Sequence, residues 1–412
     1  MERDGLIKHS GTKISPYFTV FALVIGIVAL LATVWVPDYL PLTDYPVHLS
    51  LIQVSGIPGG VEPLSMDRYE TQWFTPYAIP YLLARTIAIL APVEVTGKLL
   101  LSIYLLFTPL AIIRLMRALE KPSWFAMGAL PFLLNFNFSW GFLPFLICIP
   151  LVIESWIRTI RFLRKPGYYS WLGLTLTLVV LFFCHLFGLL IALFTCFALM
   201  LTRFKDPRKL MCSLTSLILP VAMALVWRYR LQFSRSDAEF FISKGMRFAP
   251  FSLKFKFFPE YIVSGDPGRL SWYITGTFLV LYLLYLLPSK PKKADDQSAA
   301  DTSGDSPDSG NRQFCGKYGV ILFSTLLGLY LVCPYSWLTA VWLFNRLAFL
   351  LPIAALVLLP GKGKFPGMVW TLAFLVISLY LAQATITRFD RFNSEALPGI
   401  ELMRLIPPGQ TL

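Results

Sequence analysis

Charge is scarce in this 412-residue chain. Only 14% of residues are Asp, Glu, Lys or Arg, 56% are apolar, and the mean hydropathy is +0.64. A soluble domain carries about a quarter charged residues, so a water-soluble globular fold is excluded. Nucleotide-handling motifs are also missing. There is no P-loop, no G-x-S-x-G, no H-E-x-x-H and no dinucleotide fingerprint, so no nucleotide is expected as a cofactor. The six cysteines (Cys148, Cys184, Cys196, Cys212, Cys315 and Cys333) have neither zinc-site nor disulfide spacing and read as small apolar fillers. No internal repeat is present, and few acidic residues fall at midplane depth, which argues against an ion-coupled transporter. The net charge of +13 comes from basic residues spread over inter-helix segments. That distribution fits loops lying on anionic headgroups, and no nucleic-acid partner is expected.

What is present is a series of long apolar blocks. Blocks of this kind are the signature of helices crossing a hydrocarbon layer of about 30 Å, and an open sheet cannot satisfy its backbone in lipid. The expected fold is therefore an all-α, polytopic helical membrane protein with about eleven transmembrane helices. Residues 17–36 form an uncleaved first helix, too long for a signal-peptide core, with the N-terminus in the cytoplasm. Further spans are expected at 73–91, 98–113, 124–153, 212–227, 272–287, 318–333, 337–359 and 368–384. The 124–153 block is broken by Pro131, Asn135, Asn137, Gly141, Pro144 and Pro150. It reads as one interrupted crossing, or as a short re-entrant pair plus a crossing. Residues 171–201 lie between two basic stretches, so they read as a hairpin with His185 near its tip, each arm being about 15 residues.

Charge gives the sides. The 37–72 loop is acidic, with Asp38, Asp44, Glu62, Asp67 and Glu70 against Arg68, and is placed outside. Arg114, Arg117 and Lys121 create a conflict. Counting spans puts them outside and the charge rule prefers inside; the count is followed here. Residues 1–288 then form an N-terminal transmembrane module with outward loops at 37–72 and 228–271. Residues 289–317, rich in Asp, Ser, Gly and Lys, form a disordered cytoplasmic linker. Residues 318–412 form a C-terminal transmembrane module with an outward tail. The 228–271 loop is basic and interleaved with aromatics, which suits an interfacial segment or a lid over a lipid phosphate.

The candidate chemistry gathers on the outward face. Leu40-Pro-Leu-Thr-Asp-Tyr-Pro-Val-His48 follows the first span directly. Asp44 and His48 share a face if a helix begins near Pro46; alternatively Asp44 caps that helix. Arg346, in Phe344-Asn-Arg-Leu-Ala-Phe-Leu-Leu-Pro352, lies a turn or two below the outer surface. There a guanidinium faces a cavity, holds a phosphate bidentately, or snorkels to the headgroups. Arg85 poses the same question. His185, in Phe183-Cys-His-Leu-Phe187, is either a structural donor or a donor to a substrate phosphate. Arg247 of the long loop is a further substrate-binding candidate. The Asn137-Phe-Ser139 sequon is discounted because it falls in an apolar segment.

The plan resembles the GT-C class of integral-membrane glycosyltransferases. Thr43-Asp-Tyr-Pro-Val-His48 is similar to a D-x-P-x-H pattern at the same place in bacterial proteins of that class. Asn345-Arg346 and Phe183-Cys-His185 also look like features of the group. The sequence departs from many members in having a single acidic residue where they have two, since Tyr45 follows Asp44. It also lacks a W-W-D-Y-G motif and a large soluble domain. The resemblance implies transfer of a sugar from a polyprenyl-phosphate donor to an acceptor on the outer face. Asp44 would serve as general base, or would hold a divalent cation (Mg or Mn) with His48. His48, His185, Arg346 and Arg247 would bind substrate. It further implies a bacterial inner-membrane protein whose active face meets the periplasm, with membrane lipid and membrane proteins as partners. The alternative is a non-catalytic structural subunit or lipid carrier.

Overall fold

The computed structural model describes residues 15–54, 73–233, 245–263, 269–286, 307–337, 340–360 and 367–404. In chain order the helices are α1 (Pro16–Trp35), α2 (Tyr45–Val54), α3 (Ala78–Ala88), α4 (Val93–Ala118), α5 (Phe136–Trp140), α6 (Leu143–Arg164), α7 (Tyr168–Cys184) and α8 (Leu186–Met200). They continue with α9 (Pro207–Phe233), α10 (Phe251–Lys256), α11 (Phe258–Ile262), α12 (Arg269–Leu286), α13 (Pro307–Val332), α14 (Leu343–Ala348), α15 (Leu350–Leu358) and α16 (Gly367–Arg404). A two-strand antiparallel ribbon, β1 (Ser336–Trp337) with β2 (Ala340–Val341), precedes α14. Seven helices, α1, α4, α6, α8, α9, α12 and α16, carry segments long and apolar enough to cross a bilayer. The chain is an all-α, multi-pass membrane protein. The outward faces of these helices are apolar, as with Val20, Phe21, Val24 and Val28 of α1 and Ile218, Leu219 and Leu225 of α9. A contiguous apolar exterior of this extent is what lipid contact requires.

Helix α6 is the centre of the bundle and is buried along most of its length. It packs on α4, α7 and α8. Small polar groups fasten it: Trp156 Nε1 donates to Thr195 Oγ1 (2.7 Å), and Thr159 Oγ1 donates to Cys196 Sγ (3.1 Å). These bonds satisfy side chains that have no water to turn to.

Contacts along α6 fix the direction of its neighbours. Gly173 of α7 lies against Arg158, and Gly188 of α8 lies against Cys148. The two helices therefore run in opposite directions along α6, and His185 is the turn between them. This is the hairpin expected from the sequence. The reversal takes one residue in extended conformation (φ −166°, ψ 121°).

The bundle thus has two distinct ends. At one, which we term the basic end, Glu154 receives Arg114 (3.0 Å) and Arg158 (2.9 Å), and Arg164 meets Glu120 (3.4 Å). At the other, the polar end, α4 begins beside the α1–α2 turn. There Lys98 Nζ donates to the Pro37 carbonyl (2.6 Å) and Tyr45 Oη to the Glu94 carbonyl (3.3 Å).

This arrangement corrects two expectations. The span expected at 73–91 is not a crossing. Its helix, α3, has 11 residues, a length of about 16 Å against the roughly 30 Å of a hydrocarbon core. It starts beside His185 (Tyr77 ring 4.9 Å from the imidazole) and leads directly into the start of α4, so it stays at the polar end. With that crossing removed, Arg114, Arg117 and Lys121 share the basic end with Arg158, Arg161 and Arg164. Arg114 meets the same Glu154 as Arg158, so these cations do not lie on the face opposite the later basic stretches, where counting 73–91 as a crossing had put them.

The 124–153 block is two legs of opposite direction, of which α6 alone is long and apolar enough to cross a bilayer. A 3-10 helix, Ser123–Leu133, rises from the basic end, and α6 returns. The break sits where the sequence placed its interruptions. Asn135 Oδ1 caps α5 by accepting from the backbone N–H of Asn137 (2.8 Å) and Phe138 (3.3 Å), and Gly141 makes the left-handed turn (φ 71°).

Other boundaries moved outward. The helix expected at 98–113 runs from Val93 to Ala118, and the one expected at 368–384 continues to Arg404, through much of the presumed tail. Residues 307–317 of the expected linker open α13. Glu62, Asp67, Arg68, Glu70 and residues 289–306 lie outside the described residues.

The two ends can be told apart by labelling. In a background freed of native cysteines, Arg117→Cys and Arg161→Cys are expected to react from one face of the membrane and Thr43→Cys from the other. Arg117 and Thr43 reacting from the same face would restore the span count and overturn this topology.

Candidate functional site

Asp44 is positioned by a turn that the sequence does not advertise. The last carbonyls of α5 accept from the loop: Thr43 N donates to the Ser139 carbonyl (3.4 Å) and Asp44 N to the Trp140 carbonyl (2.7 Å). Gly141 permits this approach, because a Cβ there would come within 3.0 Å of the Tyr45 backbone nitrogen. Helix α2 then begins, with His48 N donating to the Asp44 carbonyl (3.1 Å). Asp44 and His48 are therefore one turn apart, as the spacing predicts. Among the described residues the Asp44 carboxylate makes no hydrogen bond or ion pair, so it is not spent on capping α2.

Three further segments close on this turn. From the start of α3, Tyr81 Oη lies 2.7 Å from His48 Nδ1. Tyr77, at the N-terminus of α3, has left-handed backbone (φ 83°) and meets the His185 ring edge to face. From the α7–α8 tip comes His185, and from α14 comes Arg346. The Arg346 guanidinium sits over the Phe142 ring (4.0 Å) and near Phe145 (5.7 Å), with Nη1 3.4 Å from His185 Nε2. Trp342, which starts α14, is a second non-glycine residue at positive φ (60°) and packs on Trp140 (5.1 Å). Left-handed backbone at a non-glycine residue is costly; of the three such residues among those described, Tyr77 and Trp342 frame this cluster and Glu120 lies at the basic end.

The electrostatics follow from burial beside one strong cation. Among the described residues no carboxylate lies within ion-pair distance (4.0 Å) of Arg346, and its Nε is buried without a partner. Burial raises the Asp44 pKa above the usual carboxylate value, and Arg346 offsets part of that rise. His48 is held down at about 4, by burial first and by Arg346 second, so it is neutral at pH 7. The cluster combines one half-buried carboxylate, two imidazoles, two phenols and a guanidinium with no bonded counter-ion among the described residues.

Four of the five residues singled out in the sequence are brought together here: Asp44, His48, His185 and Arg346. Arg247 is not joined to them by any bond among the described residues. Its backbone bridges Ser336, beside the ribbon before α14, and its side chain is exposed. Arg85 is exposed on α3. Lys254, one of the cations of the long loop, is unavailable to a ligand. Its Nζ is buried and donates to the carbonyls of Tyr330 (3.1 Å), Leu331 (2.7 Å) and Cys333 (2.8 Å), closing the C-terminus of α13. The sequence reading missed Tyr77, Tyr81, Phe142 and Phe145, because nothing local distinguishes them from other aromatics of the chain.

For a divalent cation, the described residues offer two ligands, Asp44 and His48. No group of three His, Cys, Asp or Glu forms among them. Hard cations take oxygen ligands, several of which can be water or substrate phosphate; one carboxylate and one imidazole are a sparse protein set for such an ion, and the Arg346 charge competes for the same carboxylate.

No protein-family model matches the chain, and no curated protein matches it either.

The packing beneath His185 is tight. A Cβ on Gly188 would collide with Cys148 Sγ, so Gly188→Ala is expected to lower stability by about 1–3 kcal/mol. Adding Cys148→Ala should restore part of that loss. Thermal unfolding in detergent reads both, and an unaffected Gly188→Ala variant would show that the turn is loose.

Proposed function

We propose that the chain is a membrane glycosyltransferase of the GT-C type. It would move a sugar from a polyprenyl-phosphate donor to a hydroxyl acceptor at the polar end of the bundle. The observation that carries this reading is the convergence of Asp44, His48, His185 and Arg346, from three separate segments, at the end opposite the basic one. The bilayer delivers the donor already activated, which is consistent with the missing nucleotide motifs.

In this reading the acceptor oxygen attacks the anomeric carbon. Its proton passes to Asp44 as general base, the bond from the anomeric carbon to the donor phosphate oxygen breaks, and the lipid phosphate leaves with the bonding pair. Arg346 balances the charge gathering on that leaving group. His48, neutral and bonded to Tyr81, positions the acceptor beside Asp44. No step is routed through a metal ion. Under the same proposal the chain crosses the membrane about eleven times, the basic end lies in the cytoplasm by the positive-inside rule, and the polar end faces the periplasm of a bacterial inner membrane. The proposed partners are membrane lipid, the polyprenyl-phosphate sugar and other membrane proteins. A second reading, a lipid carrier or structural subunit without catalysis, draws on the burial of His185, which is 3% exposed.

Asp44→Asn is expected to lower transfer, in membranes supplied with the donor, by about 10²–10⁴-fold. The pH profile gives an independent check. A base must be deprotonated, so activity should rise with pH through a limb lying above the ordinary aspartate value, because burial raises Asp44. Arg346 favours the carboxylate form, so Arg346→Met should move the limb in the residual activity to higher pH. Undiminished transfer by Asp44→Asn would remove Asp44 from the mechanism, and an unmoved limb would uncouple Arg346 from it.

A further inference from the structure

The contact between Arg346 and His185 cannot be a hydrogen bond of the ordinary kind. His185 is the N-cap of α8. Its Nδ1 accepts the backbone N–H of Phe187 (3.1 Å) and of Gly188 (3.3 Å), two of the donors that a helix start leaves without partners. A ring nitrogen that accepts carries no proton, so the neutral ring holds its proton on Nε2. Nε2 is the atom facing Arg346 Nη1 at 3.4 Å, and a guanidinium has donors only. The opposite tautomer would point an Nδ1–H at two backbone N–H groups, which is worse by one more unsatisfied donor. Two donors therefore face one another in a buried place, beside a cation that has no carboxylate in contact among the described residues.

We infer that His185 Nε2–H and Arg346 form a fixed oxyanion cradle, built to receive one oxygen of a phosphate group between them. The site favours an acceptor-only atom, because a sugar hydroxyl would bring a further proton to place, whereas a phosphate oxygen brings lone pairs and the missing negative charge. The N-terminus of α8 adds the positive end of a helix dipole on the same side. Capping makes this arrangement permanent: the backbone of α8 sets the tautomer, so the imidazole acts as a donor without acting as an acid or base. The inference deepens the glycosyltransferase reading, on which the lipid-borne source of the phosphate rests. The cradle itself rests on geometry alone.

The test uses the full chain, purified and delipidated in detergent, and titrated with a long-chain prenyl monophosphate, the matching prenol and inorganic phosphate. The chain has three histidines, so selective ¹⁵N-histidine labelling gives a spectrum with few rings, and the His185→Asn variant assigns the one of interest. That ring should show an unprotonated Nδ1 and a protonated Nε2, and the Nε2 signal should move with prenyl phosphate and not with prenol. Asparagine is a good N-cap but is too short to present the second donor. His185→Asn should therefore keep the thermal midpoint and weaken prenyl-phosphate binding by about tenfold or more. His185→Ala should lose both. A protonated Nδ1, or unchanged affinity in His185→Asn, would overturn the cradle. Equal response to inorganic phosphate would support the cradle and show that its source need not be a lipid. Binding that persists in Asp44→Asn while wild-type protein transfers no sugar would leave the cradle standing and remove the glycosyltransferase reading.

Discussion

The polar end is organised around a cation that the described residues do not neutralise. Arg346 is seated over Phe142, faces a histidine whose remaining proton points at it, and among the described residues has no carboxylate within ion-pair distance. A half-buried guanidinium in that position is costly. Asp44 is near enough for each group to shift the other, yet the two do not bond. Its free carboxylate and the free guanidinium divide the site into a part that can take a proton and a part that can take an anion. Asp44 is bonded through its backbone to the end of α5, and Trp342, which starts the helix of Arg346, packs on Trp140 of α5.

The rest of the fold serves this placement. Helix α6 spans the molecule with its charged end tied by Glu154 to Arg114 and Arg158, and its other end carries Phe145 and Cys148 beneath His185 and Arg346. Helices α7 and α8 lie antiparallel on it, so their turn falls beside its first residues. On the far side, Lys254 closes the end of α13, and a bridge between Arg247 and Ser336 ties the long loop to the ribbon that feeds α14. Each connection fixes where a chain segment turns at the polar end, and the site is made of those turns.

Much of this was legible in sequence, and the reasons differ by residue. The membrane class followed from composition, and the His185 hairpin followed from basic stretches on both sides of an apolar run. Asp44, His48 and Arg346 were visible because polar groups beside apolar spans are expensive and few. The second span was misread because α3 is apolar over a length that hydropathy alone cannot separate from a short crossing. The charges of Arg114, Arg117 and Lys121 held the correction, since three cations on the wrong face is a larger anomaly than one mistaken helix. Tyr77, Tyr81 and Phe142 were invisible because their roles exist only through contacts between distant segments. The tautomer of His185 was likewise hidden until its cap was seen.

The central claim is that Arg346 is an unneutralised cation maintained for a ligand, and the stability of the delipidated protein tests it most directly. Arg346→Met keeps most of the side-chain volume and removes the charge. If the guanidinium is held without a counter-ion, the variant should unfold at a temperature equal to or above that of the unsubstituted protein when no phosphate lipid is present, and should lose the stabilisation that prenyl phosphate confers. A clear fall in the unfolding temperature of the ligand-free variant would mean that Arg346 is already satisfied within the fold, and would contradict the account.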